Sequence, residues 1–203
     1  MKVQEAATKS KGGVTIPTLP PLLDHAAMLA KFSPKDRDGF ERQNTANTTK
    51  GGEPLAQMWK DFAALFMTLA NRPAKLTGVN TAQFFIPDGK HRKQVFAMHC
   101  LDDGNLNIFM PNVLDDAYAA GVIVKPARPP EDNSFVLGHS KDKVTIELLD
   151  RDTLNPQFYF KDMTGWNRKA ICVTVPPTAT PAQKKAIEKL AALASRAWPL
   201  DAV

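Results

Sequence analysis

A β-hairpin signal at residues 94–111 constrains the fold of this chain more than any other feature. The segment QVFAMHCLDDGNLNIFMP places two apolar runs of strand length on either side of an Asp-Gly pair at 103–104. This pair favours a two-residue turn with positive φ, which matches the twist of antiparallel strands. In that register His99 lies opposite Ile108. A hairpin of this kind indicates a mostly antiparallel sheet.

The other periodic segments supply further strands and helices. Apolar residues recur at three- and four-residue spacings over 55–69, which predicts a largely buried helix. Thr, Pro and Gln at 180, 181 and 183 predict the start of another helix by their capping pattern. Strand patterns occur at 82–86, 93–101, 144–148, 157–161 and 169–175. The sequence therefore predicts an α+β fold with five or six strands and with helices packed on one face.

Composition predicts where the folded domain begins. Residues 1–52 are mostly polar or small, so we expect a flexible N-terminal extension. Helix formers at 22–32 predict a short helix that docks on the domain, and the turn-rich segment at 33–52 predicts a linker or surface loop. The remainder predicts a single α+β domain at 53–198 and a C-terminal tail at 199–203.

Charge and apolar runs bear on the compartment and the partners. The formal net charge of the 203-residue chain is +5, but residues 1–52 hold 8 basic and 5 acidic residues, which leaves 18 and 16 in the body. This near-balance does not favour nucleic acid as a partner, because phosphate binding needs a concentrated basic face.

No apolar run reaches the roughly 20 residues that span a bilayer, and we see no secretory signal. We therefore expect a cytoplasmic protein without membrane insertion, whose two cysteines are reduced.

His99 and Cys100 are the weak catalytic candidates, since they place a base beside a nucleophile. Neighbouring residues of a strand point to opposite faces, so the two side chains cannot pair directly. Cys100 could still meet a histidine from another element, such as His91 or His139. Histidine spacing indicates no metal site, and the loops that hold nucleotide phosphates are missing, so no cofactor is predicted.

Two basic segments are candidates for a binding surface. They hold a cationic run and an aromatic ring beside cations, which could bind phosphate or a nucleic-acid strand. The residues are Lys90, Arg92, Lys93, Trp166, Arg168 and Lys169. Charged strand ends that discourage edge-to-edge association explain the same pattern, and we favour that explanation.

The sequence does not decide whether the chain is an enzyme, and the missing motifs favour a non-enzymatic function. Our leading hypothesis is an interaction or small-ligand-binding module with an unknown protein or small-molecule partner. The first alternative is nucleic-acid or phosphate binding by the two basic segments. The second is an enzyme that uses Cys100 or the hairpin carboxylates of Asp102 and Asp103.

Overall fold

The computed structural model of the chain describes residues 13–88, 91–125, 134–137, 143–149 and 170–196. Side chains are described in these ranges except at 86–88, 91–93 and 134–137. The predicted strand at 157–161 and the tail at 199–203 lie outside the described residues.

One antiparallel sheet forms the centre of the described structure. Its strands are β1 (Lys75–Thr77), β2 (Thr81–Asp88), β3 (His91–Cys100), β4 (Leu106–Pro111), β5 (Ser134–Leu137), β6 (Val144–Leu149) and β7 (Ala170–Val175). Their order is β1-β2-β3-β4-β7-β6-β5, and every neighbouring pair is antiparallel. Six of these strands have at least four residues, and β1 is a three-residue edge strand. The predicted α+β fold is confirmed.

Four helices accompany this sheet in the described part of the chain. They are α1 (His25–Ala30), α2 (Pro34–Ala70), α3 (Leu114–Ala119) and α4 (Pro181–Arg196). The predicted cap of α4 is present, since Thr180 Oγ1 accepts from the Gln183 backbone N–H at 3.3 Å. Gln183 Oε1 accepts from the Thr180 backbone N–H at 2.8 Å.

Helix α2 reverses direction at Gly51 and Gly52, whose backbone angles are not helical. A straight helix would place Gly39 roughly 47 Å from the end of α2, at 1.5 Å per residue. A Cβ on Gly39 would instead lie 3.2 Å from Leu76 Cδ1, only six residues beyond that end. The first half of α2 (34–50) therefore folds back along the second half (53–70) as a helical hairpin.

The second half of α2 packs on one face of the sheet, which we call the helix face. The Phe66 ring stacks on Phe96 at 4.6 Å between ring centroids and meets Phe84 edge-on at 5.3 Å. Apolar residues of α4, including Ile187 and Leu190, join the same core. The prediction that helices pack on one face is confirmed.

The expectation of irregular structure at 33–52 is wrong, because these residues are almost all helical. The first half of α2 buries Phe40, whose ring stacks on Phe32 at 5.5 Å. The predicted docking helix is present as α1, which buries Met28. Sequence periodicity missed the first half of α2 because its buried face includes the amides Gln43 and Asn47 instead of apolar residues alone.

The hairpin is present, but its predicted register is wrong by one residue. Leu101 N–H donates to Asn105 O at 2.9 Å, so the loop has three residues, 102–104, and not two. Gly104 has φ +82°, as expected for the left-handed residue that closes such a loop. His99 consequently lies opposite Asn107 and not Ile108.

Candidate functional site

A row of polar side chains crosses the sheet on the face opposite the helix face, which we call the second face. The strand register aligns one residue from each of five neighbouring strands. These are Thr81, His99, Asn107, Thr174 and Thr145, and all are half-buried. We call these five residues the polar row. The one-residue shift of the hairpin places a second polar group, Asn107, beside His99.

Hydrogen bonds fix two neighbouring pairs of the polar row. Thr81 Oγ1 lies 2.8 Å from His99 Nδ1. Thr174 Oγ1 donates to Asn107 Oδ1 at 2.8 Å, which directs the amide nitrogen of Asn107 away from Thr174. The imidazole and the amide are therefore held in defined orientations on adjacent strands.

The electrostatic surroundings of His99 favour the neutral imidazole. Partial burial lowers the pKa of His99, and the positive charge of Lys50 lowers it further. The negative charge of Asp102 acts in the opposite direction and raises this pKa, but less strongly. His99 is therefore predominantly uncharged near neutral pH.

Lys50 and Asp102 connect the helical reversal to the hairpin loop. Lys50 Nζ lies 2.6 Å from Asp102 Oδ1. The hydrogen bond from Lys50 and its charge lower the pKa of Asp102. A carboxylate with a lowered pKa, on a side chain that is 97% exposed, does not have the properties of a general acid. The Asp103 carboxylate accepts from the Asn105 backbone N–H at 3.0 Å, as is typical of a turn.

Cys100 lies on the helix face, away from His99, and is fully buried. Burial raises the pKa of the Cys100 thiol to about 12. Cys172 is also buried, and burial raises its pKa to about 12. Since the thiolate is the nucleophile, neither thiol is activated in this structure. The side chains of His91 and His139 lie outside the described residues.

Beyond the polar row, the next row of the second face has an apolar centre and polar ends, since Gln83 pairs with Ala97 and the exposed Glu147 pairs with Cys172. Ala97, Phe109 and Cys172 are directly aligned on adjacent strands, and Leu149 completes this small buried cluster. The polar row thus lies beside a small apolar cluster. Such a combination, with few oriented polar groups beside apolar side chains, is common in small-molecule sites.

The described structure does not test whether the six residues of the predicted basic surface lie close together. Arg92 and Lys93 belong to β3, but their side chains lie outside the described residues. Lys90, Trp166, Arg168 and Lys169 lie outside them altogether. Binding of phosphate or nucleic acid by these residues stays a prediction.

Within the described ranges, no three His, Cys, Asp or Glu side chains are grouped so that they could hold a metal ion. The described helices include none that is long and apolar enough to cross a membrane. No protein-family model, curated protein or solved structure matches this chain. The geometry of the second face is accordingly the basis for any functional proposal.

Sequence reasoning identified His99 but missed its neighbours in the polar row. Asn107 is the only polar residue of β4, and Thr174 is the only polar residue of β7. A lone polar residue in each of two adjacent strands could have indicated a shared row. The predicted two-residue turn concealed this signal, because it aligned Asn107 with Cys100.

Proposed function

We propose that the chain is a non-enzymatic binding module that takes a small polar ligand on the polar row of the second face. The observation that supports this proposal is the alignment of His99 with Asn107, each oriented by a hydrogen bond from or to a neighbouring threonine. Side chains already fixed in this way lose little conformational entropy when a ligand binds.

The chemistry of the row favours an uncharged ligand. A neutral imidazole, an amide and hydroxyl groups contain both donors and acceptors but carry no net charge. A carboxylate or phosphate would need a nearby cation, and Lys50 is already paired with Asp102. An amide or hydroxyl compound with a small apolar portion matches the polar row and the apolar cluster beside it.

The proposed location of the protein in the cytoplasm agrees with its two cysteines, which are both free.

A binding module is favoured over the enzyme alternative because of the state of the candidate groups. The thiol of Cys100 has a pKa of about 12 and points away from His99. Asp102 is exposed and paired with a lysine. Neither arrangement supplies an activated nucleophile or a general acid.

The test is a titration monitored by backbone amide NMR shifts, with N-methylacetamide as the neutral probe and inorganic phosphate as the charged probe. We expect N-methylacetamide to shift the amides of Thr81, His99, Asn107 and Thr174, and we expect phosphate to leave them unchanged. Shifts that are absent or scattered over the protein would contradict the proposal. Phosphate-specific shifts at Arg92 or Lys93 that disappear in high salt would favour the nucleic-acid alternative instead.

Two threonine substitutions provide a matched comparison. Thr174→Val removes the hydroxyl that orients Asn107, so we expect weaker binding of N-methylacetamide. Thr45→Val is the control, because Thr45 lies on an exposed side of α2 and its hydroxyl donates to Glu41 O of its own helix. Equal binding by both variants would show that the row does not recognise the probe.

A further inference from the structure

A second polar feature lies on the first half of α2, next to the start of β2. Gln43, Asn44 and Asn47 fall within about 100° of the helix circumference, at 100° per residue. Gln43 is 1% exposed and Asn47 is 0% exposed. Buried amides normally have hydrogen-bond partners, because an unpaired one loses its bonds to water without compensation.

The orientation of the Gln43 amide is set by the sheet. Its nitrogen donates to Gly78 O and to Thr81 O, each at 3.0 Å. Rotating the amide by half a turn would place its oxygen against these two carbonyl oxygens, so the assignment of donor and acceptor is determined by the contacts. Gln43 Oε1 is left as a buried acceptor that has no hydrogen-bond partner among the residues that the structure describes.

Three further buried atoms of this helical segment also have no hydrogen-bond partner within the described ranges. They are Asn44 Oδ1, Asn47 Oδ1 and Asn47 Nδ2. The segment therefore presents three acceptors and one donor to the interior. Asn47 lies one helical turn after Gln43 and one turn before Gly51, between the contact with β2 and the reversal of α2.

We infer that this segment binds a small cluster of ordered water molecules between the first half of α2 and the end of the sheet. The guest must donate to three acceptors and accept from the Asn47 amide nitrogen. A metal or ammonium ion cannot accept a hydrogen bond, whereas water both donates and accepts. One water has two hydrogens, so three acceptors require at least two waters. This hydrated joint adjoins the ligand site proposed on the second face at Thr81, whose backbone carbonyl accepts from Gln43, but none of its four unpartnered atoms belongs to a residue of the polar row.

Magnetic relaxation dispersion of water, measured on the full-length protein, counts water molecules that reside inside the protein for long times. We expect the count to fall by at least one in Asn47→Leu, because leucine is similar in shape to asparagine but cannot hydrogen-bond. Gln57→Leu is the control, because Gln57 is an exposed residue of the same helix whose amide donates to Asp61. We expect no change in the count for that variant.

Denaturant unfolding gives an independent result for the same variants. If waters satisfy Asn47, its replacement by leucine breaks their hydrogen bonds and lowers the denaturation midpoint. A raised midpoint would show that Asn47 had no hydrogen-bond partner and would overturn the inference, since removing an unpaired buried amide is stabilising.

If Asn47→Leu does not fold, a crystal structure of the wild-type protein decides the question. Ordered water within hydrogen-bond distance of Gln43 Oε1 and Asn47 supports the inference. The absence of such water in well-defined density overturns it.

Discussion

Lys50 Nζ lies 2.6 Å from Asp102 Oδ1, and this pair joins the reversal of α2 to the loop of the β3–β4 hairpin. The backbones of the two segments are also close. A Cβ on Gly104 would lie 3.3 Å from Lys50 O and 3.5 Å from Gly51 Cα. The reversal of α2 and the hairpin loop therefore support each other, next to the end of β3 that carries His99.

The charges of this pair should tune the pKa of His99 in opposite directions. Lys50→Met removes a cation that disfavours the imidazolium, so we expect the pKa of His99 to rise. Asp102→Asn removes an anion that favours it, so we expect the pKa to fall. An NMR titration of the His99 ring protons measures both changes. Asp103→Asn is the matched control one residue away, and we expect it to have a smaller effect than Asp102→Asn. Shifts of equal sign in the Lys50 and Asp102 variants would contradict this electrostatic account.

Stability should fall on mild acidification because of His99. The pKa of His99 is lower in the folded protein than the ordinary histidine value of 6.5, so the unfolded chain binds more protons as pH falls through 6.5. The neutral imidazole is the form that the fold favours, and its contribution to stability is lost below that pH. Denaturant unfolding at several pH values between about 7.5 and 5 measures this loss. His99→Gln cannot titrate there, so we expect a flatter profile. Parallel profiles for the two proteins would show that other groups cause the change.

Gly51 should not tolerate a side chain. A Cβ at this position would lie 2.7 Å from both Leu55 Cβ and Leu55 Cδ2, and 3.2 Å from Gly104 O. We expect Gly51→Ala to destabilise the fold by about 1–3 kcal/mol, as is usual for overpacking. Chemical denaturation monitored by circular dichroism measures this loss. Gly39→Ala is the control in the same helix, since the described atoms that its Cβ would meet are the flexible ends of the Leu76 and Arg42 side chains. A similar loss in both variants would exclude the contact with Leu55 and Gly104 as the cause.

The fold class was predictable because apolar periodicity and turn chemistry agree over most of the body. The second half of α2, the capped start of α4 and the alternation of β6 each follow from local sequence. The short edge strand β1 was missed because three residues carry no periodic signal. The first half of α2 was missed because amides replace apolar residues at Gln43 and Asn47, so the helical period is not visible in hydropathy.

The candidate site was less predictable than the fold, since it depends on register. An Asp-Gly pair permits both a two-residue and a three-residue loop, and the choice between them moves every residue of β4 to the other face. Lys50 could not be connected to His99 from sequence, because 49 positions separate them and the reversal of α2 brings them together.

Both cysteines should be unreactive in the native protein. Burial raises the pKa of each thiol to about 12, so almost no thiolate is present near neutral pH. We expect labelling by a disulfide reagent to be slow in buffer and complete for two thiols in denaturant. Cys100→Ser and Cys172→Ser, measured separately, assign the two reactions. Rapid native labelling of Cys100 would reopen the nucleophile alternative.

Removal of residues 1–52 tests the domain boundary that the sequence predicts at position 53. The structure gives a physical reason to expect a large loss, because Met28, Phe32 and Phe40 are buried in the main core. Burying three such side chains contributes roughly 5–9 kcal/mol, and a whole domain is stable by only about 5–15 kcal/mol. The deletion also removes the hydrogen bonds from Gln43 to Thr81 O of β2 and to Gly78 O of the turn before it.

We expect the 53–203 fragment to show no cooperative unfolding transition by circular dichroism. Deletion of residues 2–12 alone is the control, and it should preserve that transition. A cooperative transition in the 53–203 fragment would instead support the boundary predicted from composition.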